Sequence, residues 1–169
     1  MRKPVKLALA AVAAAITATA GVTAASAAPA ATHAASGTEY IQVMSTATVP
    51  GSSGPASAIA RGVFTAAGQA RLGGARAGTI TFPGGTIVLS HRPGRGSSRF
   101  YPASCLSLIS QSGSYRIVRG TGRYAGISGH GTYQLSLEIV AVRAGGHCSS
   151  ARAPLAQQEL LRLAGPVRR

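Results

Sequence analysis

The sequence contains no aspartate, and its only acidic residues are Glu39, Glu138 and Glu159. A Ser-His-Asp triad cannot form without aspartate. The paired carboxylates of glycoside hydrolysis are also not expected, because the three glutamates lie far apart in the sequence and mostly at positions that we expect to face solvent. We therefore assign no catalytic residues, and the enzyme classes that depend on these two arrangements are not predicted.

Cysteine is also scarce, since only Cys105 and Cys148 occur. A structural metal site needs more ligands at short spacing, and a thiol nucleophile needs a base partner that the sequence does not identify. His91, His130 and His147 are not closely spaced either, so no metal and no cofactor are predicted. Two cysteines in an exported chain most often pair. We predict a disulfide between Cys105 and Cys148.

The amino terminus indicates export. A basic start at residues 2–6 leads into the apolar run LALAAVAAAITATA, which is shorter than the roughly 20 apolar residues of a membrane span. Ala25-Ser26-Ala27 then supplies the small-x-small pattern of a signal peptidase site. These features predict a signal peptide over residues 1–27, a secreted protein and no membrane span after cleavage.

The remaining chain has the size of one domain. Residues 28–38, which include His33, lack periodicity and bulky side chains, so we expect a disordered lead-in. Residues 39–167 suffice for one β-barrel domain with a buried core. After cleavage every cation is an arginine, fourteen against three glutamates, which is a net charge of +11.

The arginines concentrate in two places, one in a predicted loop and one around a glycine-rich turn. Either group could form a basic rim that attracts anionic cell-envelope polymers through nonspecific electrostatics. Nucleic acid is not an expected partner, because the chain is exported and has few aromatic residues for base stacking. The two groups are Arg92, Arg95 and Arg99 in the loop, and Arg116, Arg119 and Arg123 at the turn.

The mature chain has an all-β pattern, in which short runs rich in Val, Ile, Thr, Tyr and Phe alternate with clusters of Gly, Pro and Ser. Only LAQQELLRLAG has a short helix as an alternative. Because no βαβ alternation occurs and closure removes exposed edges, we predict a single antiparallel barrel of about eight strands. The strands are expected near Tyr40 to Thr48, Ala58 to Ala66, Thr79 to Phe82, Thr86 to His91, Cys105 to Ser110, Tyr115 to Arg119, Gly131 to Arg143 and Gln157 to Ala164.

Strand alternation predicts which side chains face the core. In the longest strand, the residues at 133, 135, 137, 139 and 141 are apolar and share one face, while polar residues share the other. The same period places Ile87 and Leu89 inward together with His91, and Tyr115 inward together with Ile117.

The stretch RGTGRYAGISGHGTY, residues 119–133, satisfies the string G-x-G-x-x-A of a dinucleotide-binding loop. That loop works because it opens a helix whose N-terminal amides hold the pyrophosphate, but here the sequence continues into a β pattern. We interpret the glycines as structural instead. Positive φ is expected at the first two and bulges or close backbone approach at the others: Gly120, Gly122, Gly126, Gly129 and Gly131.

Several segments resemble dirigent and allene oxide cyclase proteins. VRGTGRYAGISGHGTY is similar to the turn that precedes a late strand in those families. FTAAG, TFPGGTIVLSHRP, CLSLISQSGSYRIVRG and the closing QQELLRLAGPV extend the resemblance to a group of exported actinobacterial proteins with this barrel. The resemblance covers about Glu39 to Val167, and its motifs specify a fold rather than a reaction.

This resemblance implies an eight-stranded barrel of the calycin or allene oxide cyclase type, an interior able to take a small apolar molecule, and a tendency to form homo-oligomers. Three functions follow from it and from the charge. The first is a noncatalytic barrel that binds an apolar or amphipathic ligand. The second is a cyclase, isomerase or dirigent-type enzyme that holds a reactive intermediate. The third is a basic protein that associates with anionic polymers. We favour the first, with candidate pocket residues Phe82, His91, Tyr115, Tyr133 and Leu135.

Overall fold

The computed structural model describes residues 35–46, 56–73 and 77–169, and these are mainly β-strand. One turn of 3₁₀ helix, Gly122–Tyr124, separates the sixth and seventh strands. No helix within the described ranges is long and apolar enough to cross a membrane. The strands are β1 (Ser36–Ser45), β2 (Ala56–Arg61), β3 (Ala66–Gly73), β4 (Ala77–Phe82), β5 (Gly85–Tyr101), β6 (Leu106–Gly120), β7 (Ser128–Val140), β8 (Val142–Ala144), β9 (His147–Ser149) and β10 (Ala156–Arg168).

Eight of these strands close into one barrel, in the order β1, β10, β7, β6, β5, β4, β3, β2. All neighbours in it are antiparallel, and the first strand closes it by pairing with both β10 and β2. Closure gives each of the eight strands a hydrogen-bonded neighbour on both sides over at least part of its length. The predicted all-β class and antiparallel eight-stranded barrel are confirmed.

The two halves of the barrel differ in strand length and in the size of their inward side chains. Strands β2, β3 and β4 have at most 8 residues, whereas β5, β6, β7 and β10 have at least 13. The long half contributes larger inward groups, such as Leu89 and Leu163, which fill the interior opposite the short half. The inward positions of β2 and β3 hold buried alanines: Ala56, Ala58, Ala60 and Ala70.

One end of the barrel is closed by three aromatic side chains, Phe64, Phe82 and Tyr124, which we call the aromatic plug. The ring centroid of Phe64 lies 5.7 Å from that of Phe82 and 5.1 Å from that of Tyr124. The residues come from the β2–β3 connection, the end of β4 and the 3₁₀ helix, which meet at this end. None is more than 7% exposed. The plug therefore shields this end of the core from water.

At the opposite end, the barrel wall extends on one side only. The pairing of β4 with β5 stops at Ala77 and Ser90, and residues 91–101 of β5 pair with β6 alone. The β5–β6 hairpin therefore projects past the short strands. Its tip is fastened to the β8–β9 hairpin by the disulfide between Cys105 and Cys148, which the sequence predicted.

Arg143 reinforces this connection. Its guanidinium donates hydrogen bonds to the carbonyl oxygens of Pro102 at 2.8 Å, Ala103 at 3.0 Å and Gly146 at 3.0 Å. The first two acceptors lie in the β5–β6 turn and the third lies in the β8–β9 turn, so one side chain spans both hairpins. The disulfide and Arg143 together hold the two hairpins against each other.

The single strand predicted over residues 58–66 is wrong. Strand β2 ends at Arg61, the chain turns at Gly62, where φ is +139°, and β3 begins at Ala66. Residues 66–73, AAGQARLG, have little β-branched or aromatic character, so propensity did not mark them as a strand. Pairing with β2 and β4 on either side makes them one.

Two other predictions in the long half are corrected. The separate strands predicted at 105–110 and 115–119 form the continuous β6, and β5 continues through RPGRGSS, where the sequence predicts a loop. A register shift between Pro93 and Gly96 accommodates the proline, which has no N–H to donate to the ladder.

The lead-in predicted up to residue 38 is corrected at its end. Strand β1 begins at Ser36, so residues 36–38 belong to a strand.

The strand predicted at 157–164 is confirmed and its helix alternative is wrong, because residues 156–168 form β10, which pairs with β1 on one side and β7 on the other. The predicted signal peptide at 1–27, the lead-in up to residue 34 with His33, and the end of the first predicted strand at residues 47 and 48 lie outside the described residues.

Candidate functional site

A cavity of about 250 Å³ lies inside the barrel, enclosed by β5, β6, β7 and β10 and by the first residues of β4. We call it the barrel cavity. Its apolar wall comes from four leucines on three of the long strands, and its polar groups are few. The lining side chains are Leu89, Leu135, Leu161 and Leu163, with His91, Gln111, Tyr115, Tyr133 and Glu159 as the polar members.

Strand alternation explains why these residues converge. Leu89 and His91 are two apart on β5, Tyr133 and Leu135 are two apart on β7, and the β10 residues follow the same period, so each set points to the same face of its strand. Cross-strand pairing then aligns the sets, because Tyr133 lies opposite Leu163 in the β7–β10 register. The cavity is therefore built on strands, not on loops.

Four of the five predicted pocket residues line the barrel cavity: His91, Tyr115, Tyr133 and Leu135. Phe82 is instead part of the aromatic plug, at the other end of β4 from the cavity. Sequence reasoning missed Gln111, because the predicted break in β6 left it between two strands. It also missed Glu159, because its segment had a helix alternative and no assigned face.

The polar groups in the cavity are incompletely paired. The Tyr133 hydroxyl donates to Oε1 of Gln111 at 3.0 Å, and the Tyr133 ring meets the His91 ring edge-to-face, with centroids 5.7 Å apart. Tyr115 is 4% exposed, and its hydroxyl has no hydrogen-bond partner. Burial, with a smaller contribution from the charge of Glu39, raises the pKa of Tyr115 to about 12. Its hydroxyl is therefore a neutral polar group that the protein leaves without a hydrogen bond.

Two of the three glutamates face the barrel interior, which corrects the expectation that they lie mostly on solvent faces. Glu39 is 1% exposed, and Glu159 is half-buried at the cavity wall. Their register partners, Gly165 for Glu39 and Ser45 for Glu159, show that they lie at opposite ends of the β1–β10 pair. Six residues of strand, roughly 20 Å, separate the two positions, which is too far for paired-carboxylate catalysis.

Glu39 is held near the aromatic plug. Its Oε2 accepts a hydrogen bond from the backbone N–H of Phe64 at 3.1 Å, while Oε1 is buried without a partner. Burial raises the pKa of the Glu39 carboxyl, and backbone N–H groups, that of Phe64 first, oppose the shift. The net direction is upward because desolvation is the larger effect.

This pKa shift predicts a pH dependence of stability. The folded-state pKa of Glu39 lies above its unfolded value, so its contribution to stability is fully present below the unfolded pKa and is lost as the pH rises through the folded pKa. We expect the Glu39→Gln variant, which keeps an acceptor for the Phe64 N–H, to gain stability relative to wild type as the pH rises from about 4 to neutrality. Urea unfolding at a series of pH values measures this difference.

The Glu138→Gln variant is the control for this experiment, because Glu138 is an exposed carboxylate on the outer face of β7. It reports the effect of removing one negative charge from a basic protein. A Glu39→Gln difference that does not vary with pH would contradict the assignment.

The six arginines predicted to form a basic rim are exposed but do not share one rim. The first group lies on β5 and not in a loop, with Arg95 and Arg99 on the projecting hairpin. Arg92 on β5 pairs with Ser114 on β6, and Arg116 on β6 pairs with Ser90 on β5, so the two arginines lie diagonally next to each other on the outer wall. The last two lie towards the plugged end: Arg119 near the end of β6 and Arg123 in the 3₁₀ helix.

The glycine-rich stretch forms a connection between strands. The chain passes from the 3₁₀ helix into β7, so the G-x-G-x-x-A string lacks the helix N-terminus on which pyrophosphate binding depends. The φ angle is positive at Gly122 and Gly126, at +57° and +79°. Close backbone approach occurs at the other three, where an added Cβ would meet a carbonyl oxygen: Gly120, Gly129 and Gly131. Two predictions are therefore corrected: Gly120 has close backbone approach instead of the predicted positive φ, and Gly126 has positive φ with nothing within 4 Å of its Cβ position instead of the predicted bulge or close approach.

Gly122 combines both constraints, because a Cβ there would also meet the carbonyl oxygen of Gly84. Gly145 has the same φ of +57° but nothing within 4 Å of the Cβ position. We expect Gly122→Ala to lower the free energy of unfolding by about 1–3 kcal/mol and Gly145→Ala to lower it by less. Thermal and urea unfolding of both variants measure the difference, and equal losses would show that the contact with Gly84 is unimportant.

Within the described ranges, no three His, Cys or Glu side chains are grouped closely enough to hold a metal ion. His91 lies in the barrel cavity, while His130 and His147 are exposed on β7 and β9. What the site offers chemically is a partly open cavity with leucine side chains, several hydrogen-bonding groups and one carboxyl. The chain matches no protein-family model, no curated protein and no solved structure.

Proposed function

We propose that this is an exported barrel protein that binds a small apolar or amphipathic molecule in the barrel cavity. The observation that carries the proposal is the cavity itself, about 250 Å³ of space inside a closed barrel, lined by four leucines and by five side chains that carry polar groups. An apolar cavity of about 150 Å³ accommodates benzene, so this volume suits a ligand with one ring and a short chain. Apolar walls with a few oriented polar groups are typical of small-molecule sites.

A second space on the molecule is larger but less suited to such a ligand. A groove of about 420 Å³ runs over the outside of β2, β1, β10 and β7. Exposed polar side chains, Gln42, Gln134 and Arg162 among them, form much of its wall. Because this groove lies on the outer face of the sheet and not within the closed barrel, we assign the ligand to the barrel cavity and treat the groove as the alternative site that the variants below distinguish.

Export and membership of the allene oxide cyclase and dirigent-like barrel group are part of the proposal. The signal-peptide pattern at residues 1–27 supports export, and a disulfide between Cys105 and Cys148 suits an oxidising compartment. The closed antiparallel barrel of eight strands supports the group. Native mass spectrometry of protein from culture medium tests export, because the mature chain is expected to begin near Ala28, and it would also detect a retained ligand.

Ligand binding is tested with 4-phenylbutanol, a neutral probe with one ring and a polar end. We expect calorimetry to give a dissociation constant of the order of 1 mM or tighter. Leu161→Trp, which places a larger side chain at the cavity wall, is expected to weaken binding by about tenfold or more. The matched control is Leu155→Trp, since Leu155 is 66% exposed and does not line the cavity.

Thermal melts establish that each variant is folded, and Leu135→Phe is a milder enlargement of another lining residue. Absence of probe binding to the wild-type protein would overturn the proposed function. Equal binding by wild type, Leu161→Trp and Leu135→Phe would place the site elsewhere and overturn the assignment to the barrel cavity.

A further inference from the structure

The charges of this protein are separated between the outside and the inside of the barrel. All arginines in the described ranges are exposed except Arg169, which is half-buried and lies over the ring of Tyr124 at 5.4 Å, at the plugged end. Two of the three carboxyl groups, those of Glu39 and Glu159, are on the inside. The interior therefore holds two of the three glutamate carboxyl groups in a protein whose surface is strongly positive.

The barrel cavity contains a carboxyl group but no lysine or arginine among the described residues that line it. The carboxyl is that of Glu159 on β10, and the other polar lining groups are the side chains of His91, Gln111, Tyr115 and Tyr133. A carboxylate in a partly desolvated site is costly unless a cation or several donors compensate it. Burial accordingly raises the pKa of Glu159.

A second feature of the cavity points to a ligand with a polar end. Tyr115 lines the cavity, and its hydroxyl is buried without a hydrogen-bond partner, an arrangement that is unfavourable for a polar group. A hydroxyl oxygen can accept a hydrogen bond from a charged donor. The ring of Tyr133 also lines the cavity, and aromatic faces attract cations.

On these grounds we propose that the ligand of the barrel cavity is a cationic amine, with an ammonium group that pairs with Glu159 and an apolar body that packs against the leucines. This inference rests on the proposed function and specifies its ligand class. The ammonium supplies the positive charge that the cavity wall lacks, and its N–H groups supply donors for carboxylate and hydroxyl oxygens. A carboxylate ligand would instead bring a second negative charge beside Glu159.

The experiment compares three probes with the same apolar body and different ends: 4-phenylbutylamine, 4-phenylbutanol and 4-phenylbutyrate. Binding is measured by calorimetry at about 0.15 M salt, where contributions from distant surface charges are largely screened. We expect the amine to bind about tenfold or more tightly than the alcohol, because hydrogen bonds to charged groups are stronger than neutral ones. We expect the acid to bind most weakly.

Two isosteric variants locate the effect. Glu159→Gln is expected to remove the preference, so that the amine and the alcohol bind with similar affinity, and a thermal melt shows that the variant is folded. Glu138→Gln is the matched control. Glu138 neighbours Leu137, the register partner of Glu159, but faces the outside of the barrel, so its removal is expected to leave the preference intact.

The outcomes separate this inference from the proposed function. Equal affinity of wild type for the amine and the alcohol, or preference for the acid, would overturn the amine assignment while leaving the barrel as a ligand-binding protein. Retention of the amine preference in Glu159→Gln would overturn the role of Glu159. Binding of none of the three probes would overturn both proposals.

Discussion

We expect replacement of both Cys105 and Cys148 by serine to lower the free energy of unfolding by about 4 kcal/mol. The two cysteines are separated by 43 positions in the sequence, so the disulfide closes a long loop and restricts the unfolded chain. In the folded state, the hydrogen bonds of Arg143 to both hairpins are independent of the disulfide. The native contacts are therefore expected to persist, and the loss comes largely from the greater freedom of the unfolded chain.

Urea unfolding measures this effect. The dependence of the unfolding free energy on urea is expected to steepen, because an unfolded chain without the cross-link is less compact. Ser149→Ala, next to Cys148 on β9, is the control for changing a side chain in the same hairpin. An unchanged midpoint in the double variant would show that the disulfide contributes little to stability.

Phe64→Ala is expected to cost about 3–5 kcal/mol of unfolding free energy, the range observed when a large aromatic side chain is removed from a core. Phe64 is 7% exposed and contacts both other rings of the aromatic plug. Removing its ring leaves a void at the end of the barrel and exposes Phe82 and Tyr124 to water. It also weakens the shielding of Glu39, whose carboxylate accepts the Phe64 N–H.

The control for Phe64→Ala is Phe100→Ala. Phe100 is 50% exposed and lies on the projecting hairpin, so its removal is expected to change stability by no more than about 0.5 kcal/mol. Chemical unfolding of both variants measures the contrast. Similar losses at the two positions would mean that the aromatic plug does not stabilise the closed end.

Alternation along individual strands allowed much of the barrel cavity to be predicted. Tyr133 and Leu135 share a face because they are two residues apart, and His91 follows Leu89 for the same reason. These patterns are local, and they survive in the structure even where the strand boundaries do not. Prediction failed at Glu159, where adjacent leucines at 160 and 161 gave no clear alternation and the local residues favour helix.

By itself, the sequence determined the all-β class, the pairing of the only two cysteines and the inward face of the clearest strands, because each depends on composition or on a period of two. The tertiary structure decided the identity of the eight barrel strands. Closure made a strand of the alanine-rich segment 66–73, since it is hydrogen-bonded on both sides. It also decided between the strand predicted at 157–164 and its helix alternative, since β10 pairs with both β1 and β7. It also decided that Glu39 and Glu159 face inward, because the side of a strand that faces the core follows from its register with its neighbours, a non-local property.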